Sequence, residues 1–166
     1  MWEKAMDNER TLILHPIGWV LEGRPWSTGR DPWEEKEALI EIDAAWAGAL
    51  DGIEAFSHIW IVWWLDRFEG PPSSLHVRPE RREEMPLVGF FATRSPHRPN
   101  PIAITTVRLL ERQGARLRVQ GLDAVQGTPV LDIKPYLRRG DLIAEATMPE
   151  WLDRLWQIHD QEKRKA

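Results

Sequence analysis

The stretch "ITTVRLLERQGARLRVQGL", residues 104–122, decides the fold. Its two halves are β-branched and apolar residues interleaved with polar ones, and Arg112-Gln113-Gly114 between them supplies a reversal, so the run predicts an antiparallel hairpin. The apolar phase shifts after Gly121, which marks a bulge there. Working outward, further runs of strand character lie at 11–20, 38–42, 56–65, 87–93, 130–133 and 142–147. With the hairpin's own two arms, 102–110 and 116–122, they make eight short strands without long helices between them. Such a series closes as a barrel or stacks as a sandwich.

Two long excursions interrupt the strands. Residues 67–85 are rich in proline and charge, and residues 23–36 place Trp26 and Trp33 on either side of Ser-Thr-Gly-Arg-Asp-Pro; loops of such length are often lids or binding segments. The tail "PEWLDRLWQIHDQEKRKA" is the one convincing helix. Pro149 suits its first turn, Trp151, Leu152, Leu155, Trp156 and His159 share a face, and basic residues gather toward its end. It is expected to dock on the barrel.

The chain has 166 residues, 42% of them apolar and 29% charged, enough for one domain with a real core. The absence of cysteine excludes disulfides, Cys-ligated zinc, iron–sulfur clusters and a cysteine nucleophile. The five histidines are too scattered to predict a metal site, and none is expected. No basic segment followed by a long apolar run opens the sequence, and nothing approaches the ~18 apolar residues of a membrane span. A cytoplasmic protein without membrane contact is the expectation. A net charge of −4 argues against a general polyanion binder, so nucleic-acid contact must be local. Ten tryptophans are many for this length, and Ile59–Leu65 holds three of them; burial on both faces, or at a subunit contact, outweighs ligand stacking as their explanation.

Chemistry concentrates in "RSPHRPNP", residues 94–101. Each proline fixes its own φ and biases the preceding residue toward extended backbone, which excludes helix, while the missing donors exclude a central strand. The polar groups of Arg94, Ser95, His97, Arg98 and Asn100 therefore project from a backbone with little entropy left to lose on binding. Either the segment is a preorganised binding wall or it is a rigid corner with its arginines in surface ion pairs. A second run, residues 122–136, contains the Gly127-Thr128-Pro129 turn, and Asp123 and Thr128 beside that turn are candidates to line a pocket. There is no G-x-G-x-x-G, Walker loop, H-E-x-x-H or G-x-S-x-G.

The runs "GIEAFSHIWIVWWLDRF", "VGFFATRSPHRPNPIAIT" and "GLDAVQGTPVLDIKPY", in this order, closely resemble the TrmO, or TsaA-like, family of S-adenosylmethionine-dependent methyltransferases. The resemblance covers residues 17–136. It implies a small β-barrel, and with the strands, loops and tail read above this makes a mainly β protein, a small β-barrel of short strands with long loops and a C-terminal helix, the barrel over 1–148 and a helical tail over 149–166 that is not a separate domain. It implies a homodimer holding S-adenosyl-L-methionine near the subunit interface, and a tRNA substrate, N6-methylated at a threonylcarbamoyladenosine beside the anticodon. Carried over by residue, the cofactor contacts fall on Asp66, Arg67, Arg94, Ile104, Asp123, Gln126, Gly127 and Thr128, with Arg98 and Asn100 shaping the floor. This sequence departs from the family's pattern in reading Gln126-Gly127 where Asp-Gly is usual and Ile102-Ala103 where Ile-Gly is usual. Its Gly23-Arg24-Pro25-Trp26 also replaces the family's Pro-Arg-Gln segment.

Methyl transfer from a sulfonium is an in-line displacement that needs alignment and, where the nucleophile carries a proton, a base. An imidazole suits that task near neutrality, which nominates His97, with Tyr136 and Asp132 as competitors. For tRNA the candidate surface is Arg78 and Arg81, with Arg82, in the long loop and Arg138 and Arg139 after Tyr136. The alternatives are a small-molecule methyltransferase and a non-catalytic cofactor-binding module.

Overall fold

The computed structural model describes residues 12–26, 33–68, 70 and 72–163. Eight strands are present: β1 (Gly18–Glu22), β2 (Glu37–Ile42), β3 (His58–Trp64), β4 (His76–Val77), β5 (Val88–Gly89), β6 (Ile102–Gln113), β7 (Arg116–Gln120) and β8 (Pro129–Pro135). Six of them close a barrel in the order β1-β2-β7-β6-β3-β8, while β4 and β5 pair apart from it as a two-stranded sheet. Every pairing within the barrel is antiparallel.

Alternation selects the barrel interior, because successive strand side chains point to opposite faces. Ala38, Ile40 and Ile42 of β2, Ile59, Ile61 and Trp63 of β3, Leu117 and Val119 of β7, and Val20, Val107 and Val130 fill it. At roughly 1.5–3 kcal/mol per fully buried large aliphatic side chain, this cluster is the main source of stability. Gly18 is required where β1 lies between β2 and β8: a Cβ there would fall 2.2 Å from the Glu41 carbonyl oxygen and 2.8 Å from Ile42 Cα.

The 104–122 run forms the predicted hairpin, with different details. Gln113 pairs with Arg116, so the reversal is Gly114-Ala115, with Gly114 at φ 63°, the glycine-first geometry of a tight hairpin turn. The bulge lies between Leu109 and Glu111, within β6, and Gly121 instead follows β7 with φ 87° and donates its N–H to the Lys36 carbonyl.

Three other expectations are corrected. Residues 142–147 form no strand, and every residue from Leu142 to Thr147 is exposed; without a partner edge their apolar character has nothing to pair with. Run 87–93 gives only the short β5, followed by a 3-10 turn over Phe90–Ala92. The tryptophan-rich β3 is buried on one face: Ile59, Ile61 and Trp63 point inward, while Trp60, Val62 and Trp64 are half-buried outside.

One end of the barrel is plugged by 3-10 segments at Ala44–Leu50 and Ile53–Ala55, with Leu50 in the core. Arg112, near the end of β6, binds this plug through the Leu50 and Ala47 carbonyls and through Asp51 and Glu54. Beyond β8 come a one-turn helix α1 (Arg138–Asp141) and the tail helix α2 (Glu150–Lys163). The tail helix meets the long excursion: Arg82 pairs with Glu162 at 2.7 Å and His159 with Glu80 at 2.7 Å. Ion pairs to the 79–84 loop thus tie α2 down, and Leu155 on its apolar face is buried, 6% exposed.

A candidate cofactor cleft at the open end of the barrel

The end of the barrel opposite the plug is where β1, β3 and β7 finish and where β6 and β8 begin. A shallow, open cleft lies there, lined among others by Arg24, Trp26, Asp66, Arg67, Asp123 and Thr128. Strand geometry explains the gathering. Asp66 and Arg67 stand in the 3-10 turn that follows β3, Asp123 follows β7, and Thr128, only 1% exposed, immediately precedes β8. The backbone ties these segments together: Val20 N–H donates to the Thr128 carbonyl, Gly127 N–H to the Val20 carbonyl, and Arg24 N–H to the Ala124 carbonyl.

Arg24 is the residue the sequence reading left without a role. Its Nε lies 2.8 Å from Asp123 Oδ1, yet this buried nitrogen has no aligned hydrogen-bond acceptor. Proximity there supplies charge neutralisation and ties Arg24 to the segment that follows β7. Arg67 lies over the Trp26 ring at 4.9 Å from its centroid, and Trp26 packs on Phe68 at 5.8 Å. Trp63 and Leu65 complete an apolar wall. Arg24 and Trp26 share the Gly-Arg-Pro-Trp run at 23–26, the one local signal, but Phe68 is distant in sequence, and only the alignment of strand ends brings it to them.

The stiff segment forms the neighbouring rim. Leu65 N–H donates to the Pro101 carbonyl at 2.7 Å, joining the segment to the end of β3. His97 packs edge-on against Phe68, with centroids 5.2 Å apart, and its ring nitrogens make no hydrogen bond among the described residues. Arg98 turns back onto its own loop, donating to the Thr93 and Ser95 carbonyls and lying 5.8 Å from the Phe91 centroid. Arg98 thus makes the segment a rigid corner, while Arg94, exposed and without a side-chain partner among the described residues, faces solvent with Asn100 and is not among the residues lining the cleft.

The remaining candidates lie elsewhere on this chain. Ile104, 50% exposed, sits on the outer face of β6 opposite Val62. Gln126 and Gly127 are exposed at the turn beside the cleft. Asp132 also faces outward, opposite Val62, and is paired with Lys134 at 2.6 Å. Tyr136 N–H donates to the His58 carbonyl at the plugged end; eight residues of extended chain separate Tyr136 from Thr128, about 26 Å. Arg138 and Arg139 follow it in α1. Arg78 donates to the Met85 carbonyl and Arg82 is held by Glu80, Glu84 and Glu162, while Arg81 is exposed. Among the described residues no three metal-ligating side chains converge, and no helix is long and apolar enough to cross a membrane.

Fold and site together define a class: a closed antiparallel barrel carrying a mixed acidic, basic and aromatic cleft at its strand ends, with no glycine-rich phosphate fingerprint. Within that class the chain belongs to the tRNA-methyltransferase O N-terminal domain family, whose model matches residues 25–142. An Archaeoglobus fulgidus protein named a probable S-adenosyl-L-methionine-binding protein is 48% identical over 107 residues, covering 64% of this chain and 28% of that protein. The human tRNA (adenine(37)-N6)-methyltransferase is 41% identical over 93 residues, covering 56% of this chain and 21% of the human one. The crystal structure of TrmO from Pseudomonas aeruginosa superposes with a TM-score of 0.64 at 30% identity, covering 83% of this chain and 61% of that one. This chain thus spans less than two thirds of the length of each of these relatives.

Proposed function

We propose that the chain binds S-adenosyl-L-methionine in the cleft and methylates N6 of threonylcarbamoyladenosine in tRNA. The observation that carries this reading is the convergence of Asp66, Arg67, Asp123 and Thr128 with Arg24 in one aromatic-walled cleft. The donor set fits the cofactor. Carboxylates of Asp66 and Asp123 accept from ribose hydroxyls or an ammonium group, Arg24 and Arg67 offer planar forks to a carboxylate, and Trp26 and Phe68 offer ring faces to a nucleobase. Bound there, the cofactor supplies a methyl group on a positively charged sulfur.

The chain's residues then have two tasks. The stiff rim, fastened to β3 through Pro101, orients the substrate nitrogen toward the cleft, which is where most of the rate gain of a displacement arises. His97, at the edge of Phe68 with unengaged ring nitrogens, takes the proton of the urea-like N–H, itself more acidic than an ordinary exocyclic amine. Asp132 and Tyr136 are weaker candidates, being on the outer face and at the plugged end.

The reading includes a homodimer. On the outer face of the barrel Trp64 lies opposite Ile102 and Val62 opposite Ile104, and Ile102 and Ile104 are 40% and 50% exposed. Contiguous apolar cross-strand pairs of this kind are what a second copy covers. The compartment that tRNA modification requires is the cytoplasm. A small-molecule methyltransferase is the second reading, favoured by the net charge of −4. Mass spectrometry of tRNA nucleosides from a deletion strain, with and without the gene restored, separates the two. Loss of the N6-methylated nucleoside and its return on complementation supports the tRNA reading, and an unchanged nucleoside profile refutes it.

A further inference from the structure

We propose that Phe91 is a stacking platform for the base next to the methylated nucleotide, so that the substrate is held as a splayed single strand across the rim of the cleft. This rests on the tRNA reading above. Phe91 is 76% exposed, while its neighbour Phe90 is buried. A large ring so exposed loses hydration free energy unless something covers it.

The ring is nevertheless held in place. Phe90 packs edge-on against it with centroids 4.4 Å apart, and Arg98 lies 5.8 Å from its centroid. Arg98 is itself pinned to the Thr93 and Ser95 carbonyls, and Thr93 Oγ1 donates to the Phe90 carbonyl. A rigid aromatic face beside guanidinium groups is the arrangement that binds unstacked bases, because every base has a π face and stacking requires no sequence.

Charge complementarity identifies the occupant. From Met85 to Leu110 the chain has no acidic residue, although it carries 26 Asp and Glu overall against 22 Lys and Arg. Arg94 in that run is exposed and without a side-chain partner among the described residues. The local field therefore favours a phosphate backbone, whereas in the 78–82 loop Arg78 is engaged by the Met85 carbonyl and Arg82 by glutamates. Contact follows contact from the cleft outward: Phe68 lines it, His97 packs on Phe68, and the next residue, Arg98, lies against Phe91. A base on Phe91 is thus on the same rim as a base presented to His97, reached through Arg98.

The test uses the full chain and a labelled single-stranded oligoribonucleotide, with anisotropy for RNA, calorimetry for S-adenosylmethionine and sedimentation velocity for assembly. Phe91→Ala and Phe91→Leu should weaken RNA binding roughly tenfold or more, the size of one base–aromatic stack. Phe91→Tyr should restore it, and cofactor affinity and the salt dependence of RNA binding should not change. If the wild-type chain binds RNA and Phe91→Ala binds it equally well, the platform is wrong while the tRNA reading survives. If the wild-type chain binds cofactor but no RNA, both fall. A change of oligomeric state in Phe91→Ala overturns the platform in favour of a contact between copies.

Discussion

At the scale of single residues, the cleft joins charges that the sequence separates by a hundred positions, and Arg24 is the clearest case. It lines the cleft and its Nε pairs with Asp123 at 2.8 Å, so Arg24→Met should weaken S-adenosylmethionine binding about tenfold, by removing a cationic wall of the cleft and leaving the Asp123 carboxylate without this partner. Calorimetry checks this, and an unaltered dissociation constant removes Arg24 from the site. His97→Ala should behave differently. Single-turnover methylation should fall on the order of a hundredfold, the contribution of a general base, while cofactor affinity holds. Rate and affinity falling together would make His97 a binding residue. Arg94, Arg98 and His97 were conspicuous in the sequence because three prolines surround them, yet their division of labour was not. Arg98 stabilises the corner through carbonyls three and five residues back, while His97 packs on Phe68, too far off in sequence for spacing to reveal it.

At the scale of elements, two features govern the cleft and its surroundings. Gly23 follows β1 and passes so close to residues 124–125 that a Cβ would lie 2.5 Å from the Ala124 carbonyl oxygen. Gly23→Ala should push the Arg24 segment off its bond to Ala124, lowering both melting temperature and cofactor affinity; calorimetric scans and titrations measure the two, and normal values for both would show that the approach is not needed. The other feature is the latch on α2. Glu80 and Arg81 both have positive φ, 52° and 59°, which non-glycine residues adopt at a cost of about 1–2 kcal/mol each. The contacts of Glu80 to His159 and Arg82, and of Arg82 to Glu162, hold that turn. Burial alone would raise the Glu80 carboxyl, but hydrogen bonds from His159 and Arg82 outweigh it and hold the group below the ordinary carboxylate range. A depressed carboxylate stabilises fully above its unfolded pKa and loses that contribution as pH falls through the folded one. Acid should therefore release α2 before the barrel opens, visible as early loss of amide-exchange protection in 150–163; simultaneous loss in β3 would contradict it. The helix itself was legible from its period, but its docking partner was not, because charge complementarity across about eighty residues leaves no local trace.

At the scale of the whole molecule, the barrel presents an apolar outer face at β3 and β6 that a lone chain leaves partly wet. Ile102→Asp should convert the proposed dimer to a monomer in sedimentation velocity, since a buried unpaired carboxylate opposes association. A wild-type chain that sediments as a monomer would refute the dimer. What the sequence by itself determined was the strand content, the central hairpin, the stiffness of residues 94–101 and the family resemblance, because period-two alternation, proline and turn glycines act locally. It misjudged 142–147 as a strand and left open whether β3 was buried on both faces or at a subunit contact, since apolar character alone does not say whether a partner edge or a second layer exists. Only the tertiary structure decided which strands close the barrel, which end is plugged and which is open, and that Arg24, Trp26 and Phe68 belong to the cleft. The physical reason is that a cleft at strand ends is assembled by barrel closure, a non-local event whose contacts join residues with no fixed spacing along the chain.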